Sequence, residues 1–139
     1  MLWSCRGASS LQAPTILLVE DEALIVEILT AEFADTGFEV VVASDGNRAI
    51  AELDADAARF KAVVTDIRLG KGPDGWDVGR RARELVSDMS VVYVSGDSTH
   101  DWSSKGVPES VVILKPFAPT QLVTAVSTLI SAADTRRTG

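Results

Sequence analysis

Cysteine, histidine and tyrosine each occur once in this chain of 139 residues, and its bases are outnumbered, 13 Lys and Arg against 20 Asp and Glu. With Cys5 alone, no disulfide can close within the chain, and a reducing, cytoplasmic setting is the expectation. The net charge of −7 and pI near 4.6 argue against a nucleic-acid surface, because phosphate binding needs a basic face. The small basic groups, Arg80-Arg81 with Arg83 and Arg136-Arg137, read as a solvated helix face and a chain end. No wholly apolar run exceeds four or five residues, so no membrane span is expected.

What is present is alternation. Residues 1–13 lack periodicity and read as a disordered N-terminal extension, 14–132 as one domain, and 133–139 as a flexible C-terminal tail. Apolar runs at 15–19, 39–43, 62–65, 90–94 and 110–114 have strand character. Helical patterns separate them. Residues 22–35 place Leu24, Ile25, Ile28, Leu29 and Phe33 on the buried side, with Gly37 as the residue past the helix end. A second helix opens near Asp45-Gly46 and carries Ile50, Leu53 and Ala57. A third follows Asp74, which can cap the backbone of Asp77, and carries Val78, Ala82 and Leu85. Pro119 opens the last helix, striped by Leu122, Val126 and Leu129 and widened by Val123, Ala125 and Ile130. Between the fourth and fifth strands, Asp97 to Pro108 holds few helix formers, so at most two turns are expected there. Strands alternating with helices imply an α/β, doubly wound parallel sheet with right-handed crossovers.

Four of the apolar runs stop on polar residues with chemical potential. The first ends at Glu20-Asp21, the third at Asp66, the fourth at Ser95-Gly96 and the fifth at Lys115-Pro116. If these strands are parallel neighbours, all those groups reach one edge, where open α/β sheets carry their ligands. Asp66 is the candidate nucleophile toward phosphorus. The clustered carboxylates suit Mg²⁺, with Asp21 and Asp66 as direct ligands, Glu20 acting through a water, and the backbone carbonyl of Arg68 completing the set. Lys115 and Ser95 offer a cation and a hydroxyl to phosphoryl oxygens. A cis Lys115–Pro116 bond would help hold Lys115 toward the site.

With these motifs in place, the chain resembles the receiver domain of two-component response regulators over about residues 14–132. Leu17-Leu-Val-Glu-Asp-Glu22 is similar to the acidic motif, Thr65-Asp-Ile-Arg68 to the phosphoacceptor strand end, Ser95-Gly96 to the switch hydroxyl and Lys115-Pro-Phe117 to the lysine motif. The resemblance implies a flavodoxin-like five-stranded sheet of order 2-1-3-4-5 with five helices, the fourth short or poorly ordered. It implies phosphorylation of Asp66 by a sensor histidine kinase or histidine phosphotransfer protein, Mg²⁺-dependent, in a chain that is not otherwise an enzyme. His100, in the weak segment, is a poor internal donor. No effector domain follows the last helix, so the expected output is a contact with another protein through the final helix, the fifth strand and the weak segment, with Trp102 either an exposed anchor or buried. Whether that face forms a weak homodimer stays open.

Several features depart from the family pattern. The loop from Ile67 to Asp74 is one residue longer and has Gly70 where a Pro usually stands, which suggests a mobile lip. Val112 occupies a position that is usually aromatic. With the weak 96–109 segment, this implies a switch that orders that segment rather than flips a ring. Arg68 and Asp97 could pair across the site and obstruct water, or stand as unrelated solvated side chains. The competing readings are a degenerate receiver acting as a constitutive protein-binding module, a phosphohydrolase and a flavin-binding protein. Arg68 stands where a phosphohydrolase would place its second carboxylate, and no hydroxyl-rich phosphate loop follows the first strand.

Overall fold

A strand covered on both faces must be apolar along its whole length, and the apolar runs do become strands. The structure, a computed structural model, describes residues 13–97 and 101–138. The elements are β1 (Thr15–Val19), α1 (Ala23–Asp35), β2 (Glu39–Ala43), α2 (Gly46–Asp56), a 3-10 turn (Ala57–Arg59), β3 (Phe60–Asp66), α3 (Gly75–Leu85), β4 (Ser90–Ser95), α4 (Trp102–Lys105), β5 (Val111–Leu114) and α5 (Pro119–Thr138). The five strands form one parallel sheet of order β2-β1-β3-β4-β5. This is the fold class expected above.

Strand alternation sends side chains to two separate cores. Leu17, Val19, Val63, Val91 and Tyr93 pack with α2 and α3, whereas Ile16, Leu18, Val64, Val92 and Val94 pack with α1 and α5. Caps place the helices. Asp45 accepts from the Arg48 N–H at 2.8 Å, and Asp74 and Asp77 form a reciprocal capping box with both bonds at 3.0 Å. Gly37 follows α1 at φ +94, a backbone state that only glycine adopts freely.

Three expectations need correction. Leu24 and Ile28, assigned above to the buried side of α1, are 68% and 46% exposed, because the helix is apolar around most of its girth and the sheet covers only one stripe. Leu85 is likewise exposed at the last turn of α3. The tail expected at 133–139 continues α5 as far as Thr138, with Ala133 buried. Charges from distant segments hold those turns. Arg136 Nη1 pairs with Glu109 at 3.2 Å, and Arg137 Nε stands 2.6 Å from Asp88 Oδ2, a charge contact not aligned as a hydrogen bond. The extension expected at 1–13 lies outside the described residues except Ala13, as do Cys5 and His100.

The fourth helix is a single turn of four residues. So short a helix cannot hold itself by its own hydrogen bonds. Its conformation rests on side-chain contacts: Trp102 Nε1 donates to Ser110 Oγ at 3.0 Å, and that hydroxyl donates to the Val107 carbonyl at 2.6 Å. Trp102 is neither buried nor free, at 38% exposure with its indole N–H engaged.

Candidate functional site

The hydrogen-bond ladder continues one bond past several strands, and those bonds position the site. Glu20 N–H donates to Ala43 O at 3.1 Å, Ile67 N–H to Val94 O at 3.0 Å and Lys115 N–H to Ser95 O at 2.8 Å. The residues just after β1, β3 and β5 are therefore tied into the sheet's own hydrogen-bond ladder. The Lys115–Pro116 bond is cis.

Asp66 closes β3 and is nearly buried. One carboxylate oxygen accepts from the Arg68 N–H at 3.2 Å, and the other lies 3.0 Å from Lys115 Nζ. That ammonium also stands 3.7 Å from Glu20 and 3.9 Å from Glu22. Glu20 is buried and accepts from the Glu22 N–H at 3.1 Å. Burial pushes the Glu20 carboxyl above its ordinary range. The Glu22 N–H and Lys115 oppose that shift, while the nearby Asp66 charge adds to it. Burial by itself would lower the Lys115 ammonium, but its bond to Asp66 and the charges of Asp66, Glu20 and Glu22 prevail and raise it.

Glu20, Asp66 and Lys115 are thus brought together. Asp21 is exposed beside them. Ser95 is buried at the end of β4, but its hydroxyl is turned to its own loop, accepting from the Asp97 N–H at 3.1 Å. The Arg68 side chain reaches across to Asp97 in an ion pair that joins the loop after β3 to the loop after β4. The charges expected either to pair or to stand apart do pair. Val112 is half-buried against the α3-side core.

Sequence reasoning passed over three residues. Glu22 was visible as the third acid of the run after β1, and it is the third carboxylate around Lys115. Gly75 gave no signal beyond its place after Asp74. A Cβ there would come 2.3 Å from the Asp66 carbonyl oxygen and 2.6 Å from Ile67 Cα, so α3 starts against the backbone of Asp66 itself. Tyr93 looked like an ordinary strand residue, yet its hydroxyl accepts from the Val107 N–H at 3.2 Å.

Donor chemistry at this edge is all hard oxygen, which suits Mg²⁺. As placed, however, no three His, Cys, Asp or Glu side chains among the described residues stand close enough to hold an ion, and the Lys115 ammonium bridges Glu20 and Asp66. Beside Lys115 opens an apolar groove of about 530 Å³, lined by Ile25, Ile28 and Leu29 of α1 and by Pro116, Phe117 and Pro119.

The fold and sequence have counterparts among known proteins. A receiver protein from Sinorhizobium medicae WSM419 superposes with a TM-score of 0.85 at 46% identity, over 88% of this chain and 98% of that one. Probable transcriptional regulatory protein SilR of Salmonella typhimurium is 32% identical over 124 residues, 86% of this chain and 52% of its own length. Transcriptional regulatory protein CusR of Escherichia coli K12 is 31% identical over 120 residues, 83% and 50%. This chain spans about half the length of the curated relatives it matches. No helix among the described residues is long and apolar enough to cross a membrane. The sequence profile of the response regulator receiver domain matches residues 16–127, and the chain belongs to that family.

Proposed function

We propose that Asp66 accepts a phosphoryl group from a phosphohistidine on a sensor kinase or phosphotransfer protein, and that the phosphorylated chain signals through contact with another protein. The observation that carries this reading is the 3.0 Å contact between Lys115 Nζ and a nearly buried Asp66 carboxylate. In the transfer, an Asp66 oxygen forms a bond to phosphorus as the P–N bond to the donor histidine breaks. The imidazole nitrogen keeps the electron pair and takes a proton. Lys115 offers charge to the developing phosphoryl oxygens, and Ser95 can supply a hydroxyl once its bond to the Asp97 N–H is released. The chain turns over no separate substrate, so it is a phosphoacceptor rather than an enzyme. The apolar groove along α1 gives a protein donor a surface to rest on beside Lys115.

Mg²⁺ would be held by Asp21 and Asp66, by Glu20 through a water and by the Arg68 carbonyl, and would screen the charges of donor and acceptor. Its binding has a pH signature. The raised folded-state pKa of Glu20 means that, without metal, stability falls as pH rises through that group's range, because ionisation costs the folded chain more than the unfolded one. A cation reverses that cost, whereas protons compete with it at low pH. At ten times its Kd, Mg²⁺ is therefore expected to add about 1.4 kcal/mol near pH 7, raising Tm by roughly 4–6 °C. The gain should shrink as pH falls toward 4.5, because the folded-state pKa of Glu20 lies above that ordinary value and the group is already taking up its proton. Melting curves with and without Mg²⁺ at the two pH values check this, and an equal gain at both would remove Glu20 from the metal site.

The functional reading itself is tested by incubation with acetyl phosphate and Mg²⁺ followed by intact mass. One added phosphoryl group is expected in the wild type and none in Asp66→Asn. A wild-type chain that binds Mg²⁺ yet takes no phosphoryl group would instead be a constitutive protein-binding module.

A further inference from the structure

The surface formed by residues 101–110 has only the single turn of α4 as regular structure, so its position depends on what grips it. Two grips meet at Val107. Its carbonyl accepts from Ser110 Oγ at 2.6 Å, and its N–H donates to the Tyr93 hydroxyl at 3.2 Å. Val107 and Ser110 are both buried, and Trp102 joins through its 3.0 Å bond to Ser110. Gly106 completes the turn, because a Cβ there would come 2.4 Å from Trp102 Cδ1.

Tyr93 leads back toward Asp66. It is fully buried in the middle of β4, and its ring lies 4.7 Å from that of Trp76. The hydroxyl passes α3 through a notch at Gly79, where a Cβ would come within 2.2 Å of it. Trp76 follows Gly75, whose missing Cβ lets α3 rest on the Asp66 carbonyl. The first turns of α3 are therefore wedged between the backbone of Asp66 and the side chain of Tyr93. Close-packed interiors of this kind pass displacement on rather than absorb it. Burial also raises the Tyr93 pKa, so the group stays a neutral hydroxyl through the physiological range.

We infer that Tyr93 is a positioning residue whose hydroxyl holds the 101–110 surface at Val107 and conveys to it, through the first turns of α3, whether Asp66 carries a phosphoryl group. The conveying part rests on the function proposed above, but the holding part does not. Tyr93→Phe in the full chain tests both, since it keeps the ring in the core and removes only the hydroxyl.

In the unmodified protein, exchange of the Val107 amide should rise about tenfold in Tyr93→Phe, while the amides of Val63 and Val64 in β3 stay unchanged. An unchanged Val107 rate would overturn the inference. With Mg²⁺ and beryllofluoride as the phosphoryl mimic, the wild type should show altered exchange over residues 104–110. Tyr93→Phe should bind the mimic equally well and lack that response. Equal responses in the two proteins, or none in the wild type once the mimic is bound, would overturn the conveying role. Failure of the wild type to bind the mimic or to be phosphorylated at all counts against the function proposed above, and the Val107 rate still decides whether Tyr93 holds the surface.

Discussion

Lys115→Ala is expected to slow phosphoryl transfer from acetyl phosphate to Asp66 by about 10²- to 10³-fold, the usual cost of deleting one oriented donor at a developing anion. The effect is large because Lys115 is the only cation within ion-pair distance of Asp66 among the described residues. Lys115→Arg should restore little, since a planar fork does not reproduce a compact ammonium among three carboxylates. The substitution also leaves Glu20 and Asp66 facing each other. Breaking a fully buried pair costs about 3–5 kcal/mol, but Lys115 retains 24% exposure, so about 1–2 kcal/mol is expected. The sign with pH follows from the shifts. The raised Lys115 pKa means its contribution is fully present below the ordinary value of 10.5 and lost only as pH rises through the folded-state value. The variant's deficit is thus complete at neutral pH. It should narrow on acidification as Glu20, whose pKa is raised, takes up its proton. Phosphorylation time courses by intact mass, with melting curves near neutrality and in mild acid, measure both effects. A wild-type transfer rate in Lys115→Ala would remove the residue from the mechanism.

Gly75→Ala should damage both stability and the site through a single added methyl. The added carbon would meet the Asp66 carbonyl oxygen at 2.3 Å and Ile67 Cα at 2.6 Å. Both are backbone atoms, and the Gly75 N–H is itself bonded to Ile67 O at 2.8 Å, so neither partner can yield alone. Overpacking of this kind costs about 1–3 kcal/mol and occasionally more, a fall in Tm of roughly 3–12 °C. The relief must come from moving Asp66, and a misplacement of about 1 Å at a reacting group can cost about 10²-fold in rate. Gly70→Ala is the control. Gly70 has φ +77 but open space around it, so that change should cost about 1 kcal/mol of backbone strain and leave phosphorylation intact. If Gly75→Ala melts within about 2 °C of wild type, the close approach does not limit stability.

The sheet was legible in the sequence because each parallel strand is apolar to its end, and the first polar residue beyond it marks the edge. Glu20, Asp66, Ser95 and Lys115 stand at that edge for this reason. Which stripe of α1 is buried was not legible. With Leu24, Ile25, Ile28 and Leu29 all apolar, helical periodicity cannot choose among them, and the structure leaves Leu24 and Ile28 outside. The last turns of α5 were misread because their support is remote, with Arg136 reaching Glu109 and Arg137 reaching Asp88. The orientation of the Ser95 hydroxyl is a rotamer choice made by the neighbouring Asp97 N–H, which residue types alone do not reveal. Tyr93 shows the same limit, since a strand tyrosine declares its burial but not the amide its hydroxyl finds.

The Arg68–Asp97 pair has a consequence for the medium in which the chain works. Both partners are well exposed, so water and mobile ions reach the contact from outside. Exposed pairs contribute little and weaken with salt, whose screening length is about 8 Å at physiological strength. The two loops that this pair joins therefore part more often as ionic strength rises. The separation of these loops would thus track the salt around the chain, with no change at Asp66, Lys115 or the Glu20-Asp21 pair.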